Sequence, residues 1–300
     1  MSETLYVLAG PTASGKTEYA IRFAERHNCE ILSCDASAFS KIMDIGTAKP
    51  SKEEQRLVPH WGLDLTEPNE YFSIHDYLHY AQRCIGEIFN RNHNVLVVGG
   101  SGFYLKSFFA PVVDEHRLDK SVAQQVEMLS MEGGPAALLQ ALVKLHPHGL
   151  PAFLDIQNPV KLKKALIRCL STGLNLQELQ VQFQQMRSPF QEVKKQTILL
   201  VWPIELLKLR VQYRVQHMLL AGLIQEVQQL LENHYLRPHT PASNAIGYRE
   251  SIEFLTQTNQ TDSDFAHLKE QIIKNTYQLI KKQNTWFRHQ IPIDHFHYCL

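Results

Sequence analysis

The sequence predicts an α/β fold, and three observations predict it. Apolar strands four to six residues long alternate with helical stretches over the first hundred residues. The run Gly10-Pro11-Thr12-Ala13-Ser14-Gly15-Lys16-Thr17 fits G-x-x-x-x-G-K-[ST] and sits between a strand and a helix, the context that motif requires. After about residue 113 the pattern becomes helical and polar, and a strand-like run, Thr197 to Trp202, then returns. Together these describe a P-loop NTPase-like parallel sheet core with flanking helices and a helical insertion domain. The expected division is residues 1–113 and 187–300 for the core and 114–186 for the insertion.

Each element follows from local pattern. Thr4 to Ala9 reads as a buried strand, and a helix is expected over about 16–27. Glu30 to Cys34 reads as a second strand ending at Asp35, followed by a polar loop with Pro50 and Pro59. His75 to Arg91 is helical by spacing, with Ile74, Tyr77, Leu78, Ala81, Ile85 and Ile88 on one face. Val95 to Val98 is a continuous apolar run bounded by Gly99-Gly100, as a buried parallel strand should be. Met131 to Pro135 reads as a turn, Gln177 to Gln185 as a solvated helix or loop, and the remainder as mostly helical. The stripe Leu219, Leu223, Val227 and Leu230 reads as core.

Composition excludes several classes. No run of about 18 apolar residues is present, so no membrane span is expected. The N-terminus has no basic segment ahead of a long apolar one, which argues against a secretory signal. The five cysteines are scattered and never spaced C-x-x-C, which favours a reducing, cytoplasmic setting. His75 and His79 lie four apart on the expected helix, but H-D-x-x-H without a third ligand is a weak metal pattern. The net charge is zero, yet residues 1–150 hold 13 basic and 18 acidic side chains and residues 151–300 hold 17 and 12. A basic half suits an anionic polymer, and uneven sampling explains it equally well.

The phosphate loop is the most specific local signal. Its glycines let consecutive backbone N–H groups face one concavity at a helix N-terminus, Lys16 adds a point charge, and Thr17 can offer its hydroxyl to Mg²⁺. NTP hydrolases usually end another apolar strand in a metal-holding aspartate. Here that strand ends in Gly99-Gly100-Ser101-Gly102-Phe103-Tyr104, more backbone donors and a hydroxyl. A third strand end presents a lone carboxylate, Asp35, which reads either as a base beside a diphosphate clamp or as a loop cap.

Further strings carry a resemblance. They are Met43-Asp44-Ile45-Gly46-Thr47-Ala48-Lys49-Pro50, Pro59-His60 with Asp64, and Val98 to Leu105. Arg210, Arg214, Met218, Gly222, Leu223, Glu226 and Val227 follow, then Ala245-Ile246-Gly247-Tyr248-Arg249-Glu250 and Gln283-x-Thr285-Trp286-Phe287-Arg288. With the phosphate loop, in this order and along nearly the whole chain, they resemble the tRNA dimethylallyltransferase (tRNA isopentenyltransferase) family. The resemblance implies transfer of a dimethylallyl group from dimethylallyl diphosphate to the N6 amine of the adenine 3′-adjacent to the anticodon, in tRNAs reading codons that begin with U. It implies a monomer using Mg²⁺ held by Thr17, with Gly10 to Thr17 on the diphosphate. Asp35 would be general base, Ser101 would hold diphosphate or orient the reacting groups, and Arg214 would stabilise the leaving group. It places tRNA contacts on Asp35, Ala36, Ser37, Ala38, Lys161, Lys164, Ile246, Gly247, Tyr248, Arg249, Lys281, Lys282, Gln283, Trp286 and Arg288. Aromatics there could stack on unpaired bases, or simply belong to the core.

The departures from the family cluster on the RNA side. The family reads D-S-x-Q where this chain has Asp35-Ala36-Ser37-Ala38, and a following tyrosine is Ser40. The glycine-loop threonine is Ser101, and an arginine after the family aspartate falls at Ala123, opposite Asp119. The insertion's N-D-x-x-R-x-x-R-A-L-E is Gln157-Asn158-Pro159-Val160-Lys161-Leu162-Lys163-Lys164-Ala165-Leu166-Ile167, and a T-R pair is Thr276-Tyr277. Lysine keeps the charge there and loses bidentate geometry. Three other readings stay open at this point: a divergent relative with weakened or altered RNA specificity, a non-catalytic RNA binder, and a small-molecule P-loop kinase.

Overall fold

A computed structural model of the chain describes residues 3–112, 118–237, 240–257 and 259–299. The chain divides into two compact units, residues 1–110 with 188–300 and residues 111–187. The expected boundary at 113–114 falls on residues outside the described ones.

The larger unit is built on a six-stranded, wholly parallel sheet in the order β3-β2-β4-β1-β5-β6. The strands are β1 (Thr4–Ala9), β2 (Cys29–Ser33), β3 (His60–Trp61), β4 (Asn94–Gly99), β5 (Lys194–Val201) and β6 (His295–Tyr298). Central β1 sets Val7 between Val97 and Thr197. It is buried on both faces, which is why its sequence runs apolar without alternation. Glu30 is the exception in β2, with 3% of its surface exposed. Burial alone would raise its pKa, but hydrogen bonds from Arg91, Trp61 and His93 hold it below the usual carboxylate range.

Helices α1 (Lys16–His27), α2 (Lys52–Leu57), α3 (Ile74–Asn90) and α4 (Gly102–Lys106) lie between the first four strands and the end of the first segment. In residues 111–187, α5 (Lys120–Leu145), α6 (Pro159–Thr172) and α7 (Leu176–Gln185) enclose their own core around Leu138, Leu142, Leu162 and Leu166. After β5 come α8 (Ile204–Leu220), α9 (Leu223–Glu232), α10 (Tyr248–Leu255) and the 29-residue α11 (Asp262–Gln290). Leu219, Leu223, Val227 and Leu230 lie in the core these helices share.

One expectation is corrected, and two short strands add to the expected ones. The turn expected at Met131 to Pro135 is a kink inside α5, where Gly134 takes φ 61°, ψ −157° and the next residue is a proline with no N–H to continue the ladder. The chain's tail pairs with β5 as an exposed edge strand over His295–Tyr298, and the Tyr19 and His297 rings lie 4.7 Å apart. The two-residue β3 escaped detection because it is too short to show a period. The four buried and one half-buried cysteines are all free thiols.

Candidate active site

The carboxyl ends of β1, β2 and β4 meet at one edge of the sheet, where open α/β folds place ligands. The phosphate loop leaves β1 and turns through two left-handed residues, Ala13 (φ 62°) and Gly15 (φ 77°). Donors behind it take its carbonyls. Lys16 Nζ donates to Gly10 O (3.0 Å) and Pro11 O (2.8 Å), Arg210 Nε to Ala13 O (2.7 Å), and Trp202 Nε1 to Ser14 O (2.9 Å). The Arg210 guanidinium also lies over the Trp202 ring, 4.5 Å from its centroid. No side chain caps α1, so its first N–H groups remain open at the positive end of the helix. Ser14 Oγ is buried without a hydrogen-bond partner, and Ser14 lines a cavity at this edge of the sheet. Burial pushes the Lys16 ammonium down to about 8, against the attraction of Asp35.

Asp35 follows β2 and uses its two oxygens differently. Oδ1 accepts from Ser37 N (3.2 Å), Ser37 Oγ (2.8 Å) and Ser101 Oγ (3.3 Å), capping a single turn over residues 36–39. No hydrogen bond engages Oδ2 among the described residues. Ser101 Oγ also accepts from Ala36 N (3.1 Å), tying the two strand ends together. Arg214, from α8, is half-buried near Asp35. Burial lowers its pKa and the Asp35 carboxylate opposes that, while Nη2 reaches Thr47 O at 3.5 Å.

Two cavities share this junction. The first, of about 160 Å³, is lined by Thr12 to Thr17, Asp35, Ala38, Lys49 and Arg214 among others. The second, of about 500 Å³, is largely apolar, with Phe103, Val215, Met218, Ile246, Leu279 and Trp286 in its wall. Thr12, Asp35, Ser37, Thr47 and Arg214 border both. An anion-binding seat therefore opens into an apolar chamber, with a carboxylate and a guanidinium at the join.

The residues expected to meet RNA separate into two groups. Ala36, Lys281, Lys282 and Arg288 are exposed, Trp286 and Ile246 are half-buried along the second cavity, and Arg249 pairs with buried Glu250 at 2.7 Å. In the other unit, Lys164 is exposed and Lys161 pairs with Asp155 at 3.1 Å. Gly247 and Ala38 are buried. Two of these residues turn into the protein, where both border the second cavity. Tyr248 has no exposed ring surface to offer a base: it is 0% exposed and its hydroxyl donates to Glu226 Oε1 at 2.6 Å. Gln283 turns its amide inward, accepting from Thr12 N (2.9 Å) and donating to Gly100 O (2.9 Å).

Several roles escaped the sequence. Glu226 accepts the N–H groups of Asp44 (2.9 Å), Ile45 (2.9 Å) and Gly46 (3.3 Å), latching the Asp44–Pro50 string onto α9. Gly46 is required there because a Cβ would lie 2.3 Å from Tyr248 Cε2. Lys49, also in that string, bridges Asp44 (2.8 Å) and Asp64 (2.6 Å). Glu226 gives no local signal of this role, since 180 residues separate it from Gly46. The Arg210–Trp202 pair behind the phosphate loop is missed for the same reason.

Thr17 and Asp35 place hard oxygens on the first cavity, and no group of three His, Cys, Asp or Glu side chains suited to a metal exists among the described residues. That combination fits an ion carried mainly by phosphate oxygens and touching the protein through few groups, as Mg²⁺ does. No helix among the described residues is long and apolar enough to cross a membrane.

Fold and site together define a P-loop α/β protein whose open phosphate-loop motif borders an apolar chamber. Comparison with known proteins narrows this. The family described as IPP transferase matches residues 39–290. A tRNA dimethylallyltransferase from Opitutus terrae is 46% identical over 292 residues, 97% of this chain and 91% of that protein. One from Oceanobacillus iheyensis is 33% identical over 98% of this chain and 90% of its own. The full-length tRNA isopentenylpyrophosphate transferase of Bacillus halodurans superposes with a TM-score of 0.69 at 28% identity, over 99% of this chain and 90% of that one. A eukaryotic dimethylallyltransferase acting on tRNA shares the fold, with a TM-score of 0.78 at 24% identity over 98% and 74% of the two chains. The chain belongs to the IPP transferase family and is an enzyme of the prenyltransferase class.

Proposed function

We propose that this enzyme moves a dimethylallyl group from dimethylallyl diphosphate to the N6 amine of the adenine 3′-adjacent to the anticodon, in tRNAs reading codons that begin with U. The observation that carries the reading is the junction at Asp35, where the anion seat meets the apolar chamber. Diphosphate sits on the phosphate loop against Lys16, Thr17 and Arg214, and the five-carbon chain extends into the chamber. The adenine leaves its stack to enter from the chamber side.

The chemistry is a displacement. The N6 lone pair forms a bond to the allylic C1, the C1–O bond breaks, and its electron pair leaves with diphosphate. Asp35 Oδ2 accepts the proton released from N6, while Oδ1 stays occupied by Ser37 and Ser101. Lys16 and Arg214 stabilise the negative charge that gathers on the leaving group in a water-poor site. Mg²⁺, held by Thr17 and the diphosphate oxygens, would supply further charge neutralisation. Residues 111–187, through Lys161 and Lys164, and the exposed side of α11, through Lys281, Lys282 and Arg288, would meet tRNA phosphates. Family membership sets aside the kinase and non-catalytic readings.

A second reading concerns which RNA is taken. The family's glutamine position is the buried methyl of Ala38, and Ala36 presents only a methyl to the chamber. These positions cannot hydrogen-bond a base through their side chains, which favours altered or weakened RNA choice with the diphosphate chemistry kept.

The test uses labelled dimethylallyl diphosphate, Mg²⁺ and a panel of unmodified tRNAs differing in the residue beside the anticodon. Label should enter tRNAs with the expected adenine. Asp35→Asn keeps an acceptor for the Ser37 cap and removes the base, so it should lower the rate by about 10²–10⁴ with little change in stability. Wild-type transfer rates from Asp35→Asn would reduce Asp35 to a loop cap.

A further inference from the structure

The phosphate loop and the glycine loop leave adjacent strands, paired to the last residue as Ala9 opposite Gly99, and then diverge. Between them lies one side chain from the far end of the chain, Gln283 of α11. It is 9% exposed, accepts from Thr12 N at 2.9 Å and donates to Gly100 O at 2.9 Å. Both partners are backbone groups of fixed polarity, so the amide has one orientation and only a side chain with an acceptor and a donor can satisfy both. A Cβ placed on Gly100 would lie 2.9 Å from Gln283 Nε2, 3.5 Å from Asp35 Oδ2 and 3.6 Å from Lys16 Nζ. The amide thus stands where the leaving-group cation and the carboxylate converge. One residue beyond Gly100, Ser101 donates to Asp35.

We propose that Gln283 is a positioning residue that fixes the distance between the diphosphate seat and the proton acceptor by bridging Thr12 to Gly100. This rests on the prenyl-transfer reading above. The bridge acts through backbone: it sets Gly100, hence Ser101, hence Asp35 on one side, and the phosphate loop on the other. Transfer between two bound groups is sensitive to such spacing, because an ångström of misplacement costs rate without costing affinity for the distant parts of the substrate. Gln283 is therefore assigned inward, to the two loops, and not to the tRNA.

Two variants test it. Gln283→Met keeps the shape and loses both bonds; kcat should fall by about ten- to a hundredfold while KM for tRNA stays within about twofold. A rise in KM for tRNA with unchanged kcat would instead mark an RNA contact and overturn the assignment. Gln283→Glu supplies the sharper readout. Its carboxylate repels Gly100 O when ionised, whereas the protonated acid is isosteric with the amide, accepting from Thr12 N and donating to Gly100 O. The ratio of Gln283→Glu to wild-type kcat should therefore climb as pH falls; a ratio flat with pH overturns the bridge, also where the methionine variant fails to fold. If the wild-type protein transfers no label, the prenyl-transfer reading fails by itself, and calorimetry with inorganic diphosphate then decides the bridge. Binding to Gln283→Met weakened by about tenfold supports it, and unchanged binding overturns it.

Discussion

The loop at residues 10–17 and the loop at residues 44–50 use the same chemistry and end in opposite states. Each gathers backbone N–H groups into a concavity that attracts negative charge. In the second loop the chain fills that concavity itself: the Glu226 carboxylate accepts from Asp44, Ile45 and Gly46, and Tyr248 adds its hydroxyl. In the first, the protein spends its donors on the carbonyls, through Lys16, Arg210 and Trp202, and leaves the helix N-terminus uncapped. A nest closed by the chain's own carboxylate is a latch. A nest backed from behind and left open in front is a binding site. Motif strength alone does not separate them, since both strings stand out equally in the sequence.

The largest expected effect comes from removing the charge that keeps the open nest ready. Lys16→Met should lower kcat/KM by about a hundredfold or more, measured with dimethylallyl diphosphate and tRNA. The same substitution should stabilise the fold. Burial lowers the Lys16 pKa from 10.5 to about 8, so the folded state pays for a buried cation at neutral pH. That cost is fully present below pH 8 and disappears as pH rises toward 10.5. It amounts to about 3 kcal/mol at most, and Lys16→Met removes it, raising Tm at pH 7 but not at pH 10.5. Wild-type affinity for inorganic diphosphate should fall above pH 8 as Lys16 loses its proton, and Lys16→Met should lack that component. A variant that loses both activity and stability would show that Lys16 serves the loop's structure as the latch carboxylate serves its own.

Opening the closed nest should have the next largest effect. Glu226→Ala leaves three N–H groups and the Tyr248 hydroxyl without their shared acceptor, at a cost of about 3 kcal/mol, or roughly 6–12 °C in Tm. Activity should follow through Thr47, whose carbonyl meets Arg214 at 3.5 Å and whose loop borders both cavities. Acetate should then restore Tm in Glu226→Ala more than it raises wild type, because the vacated nest would accept a carboxylate from solution. Absence of any acetate response would mean the loop collapses when the carboxylate goes.

The comparison also explains what the sequence could and could not disclose. Strands β1, β2, β4 and β5, the phosphate loop and the helix after it are legible because each is specified within some twenty residues, by apolar runs and by glycine and lysine at fixed spacing. Asp35 and Ser101 were legible as strand-end groups, and their hydrogen bond at 3.3 Å joins residues 66 apart. What stayed hidden is longer in range: Glu226 onto Gly46, Arg210 onto Ala13, and Gln283 onto Thr12, separated by 180, 197 and 271 positions. Periodicity reports which face of a helix is buried and is silent on its partner. The family resemblance, and not any local pattern, places Tyr248 and Gln283 with the RNA. Arg249 follows the first and Lys281 and Lys282 precede the second, and only packing reveals that Tyr248 and Gln283 turn inward.

The smallest effect tests the backing of the open nest directly. Trp202 donates from Nε1 to Ser14 O at 2.9 Å, and its ring supports the Arg210 guanidinium at 4.5 Å. Trp202→Phe keeps an aromatic ring for the guanidinium and removes only the donor. Arg210 still holds Ala13 O, so the loop should retain its path and lose part of its rigidity. The expected cost is about 0.5–1.5 kcal/mol in stability, with affinity for inorganic diphosphate lowered by about two- to fivefold. Adding Arg210→Met should lower affinity by more than the sum of the two single changes, since the second donor then goes from a loop already loosened. Simple additivity would mean each donor satisfies its own carbonyl and nothing more, and aiming of the N–H groups would then rest on the left-handed turns at Ala13 and Gly15 alone.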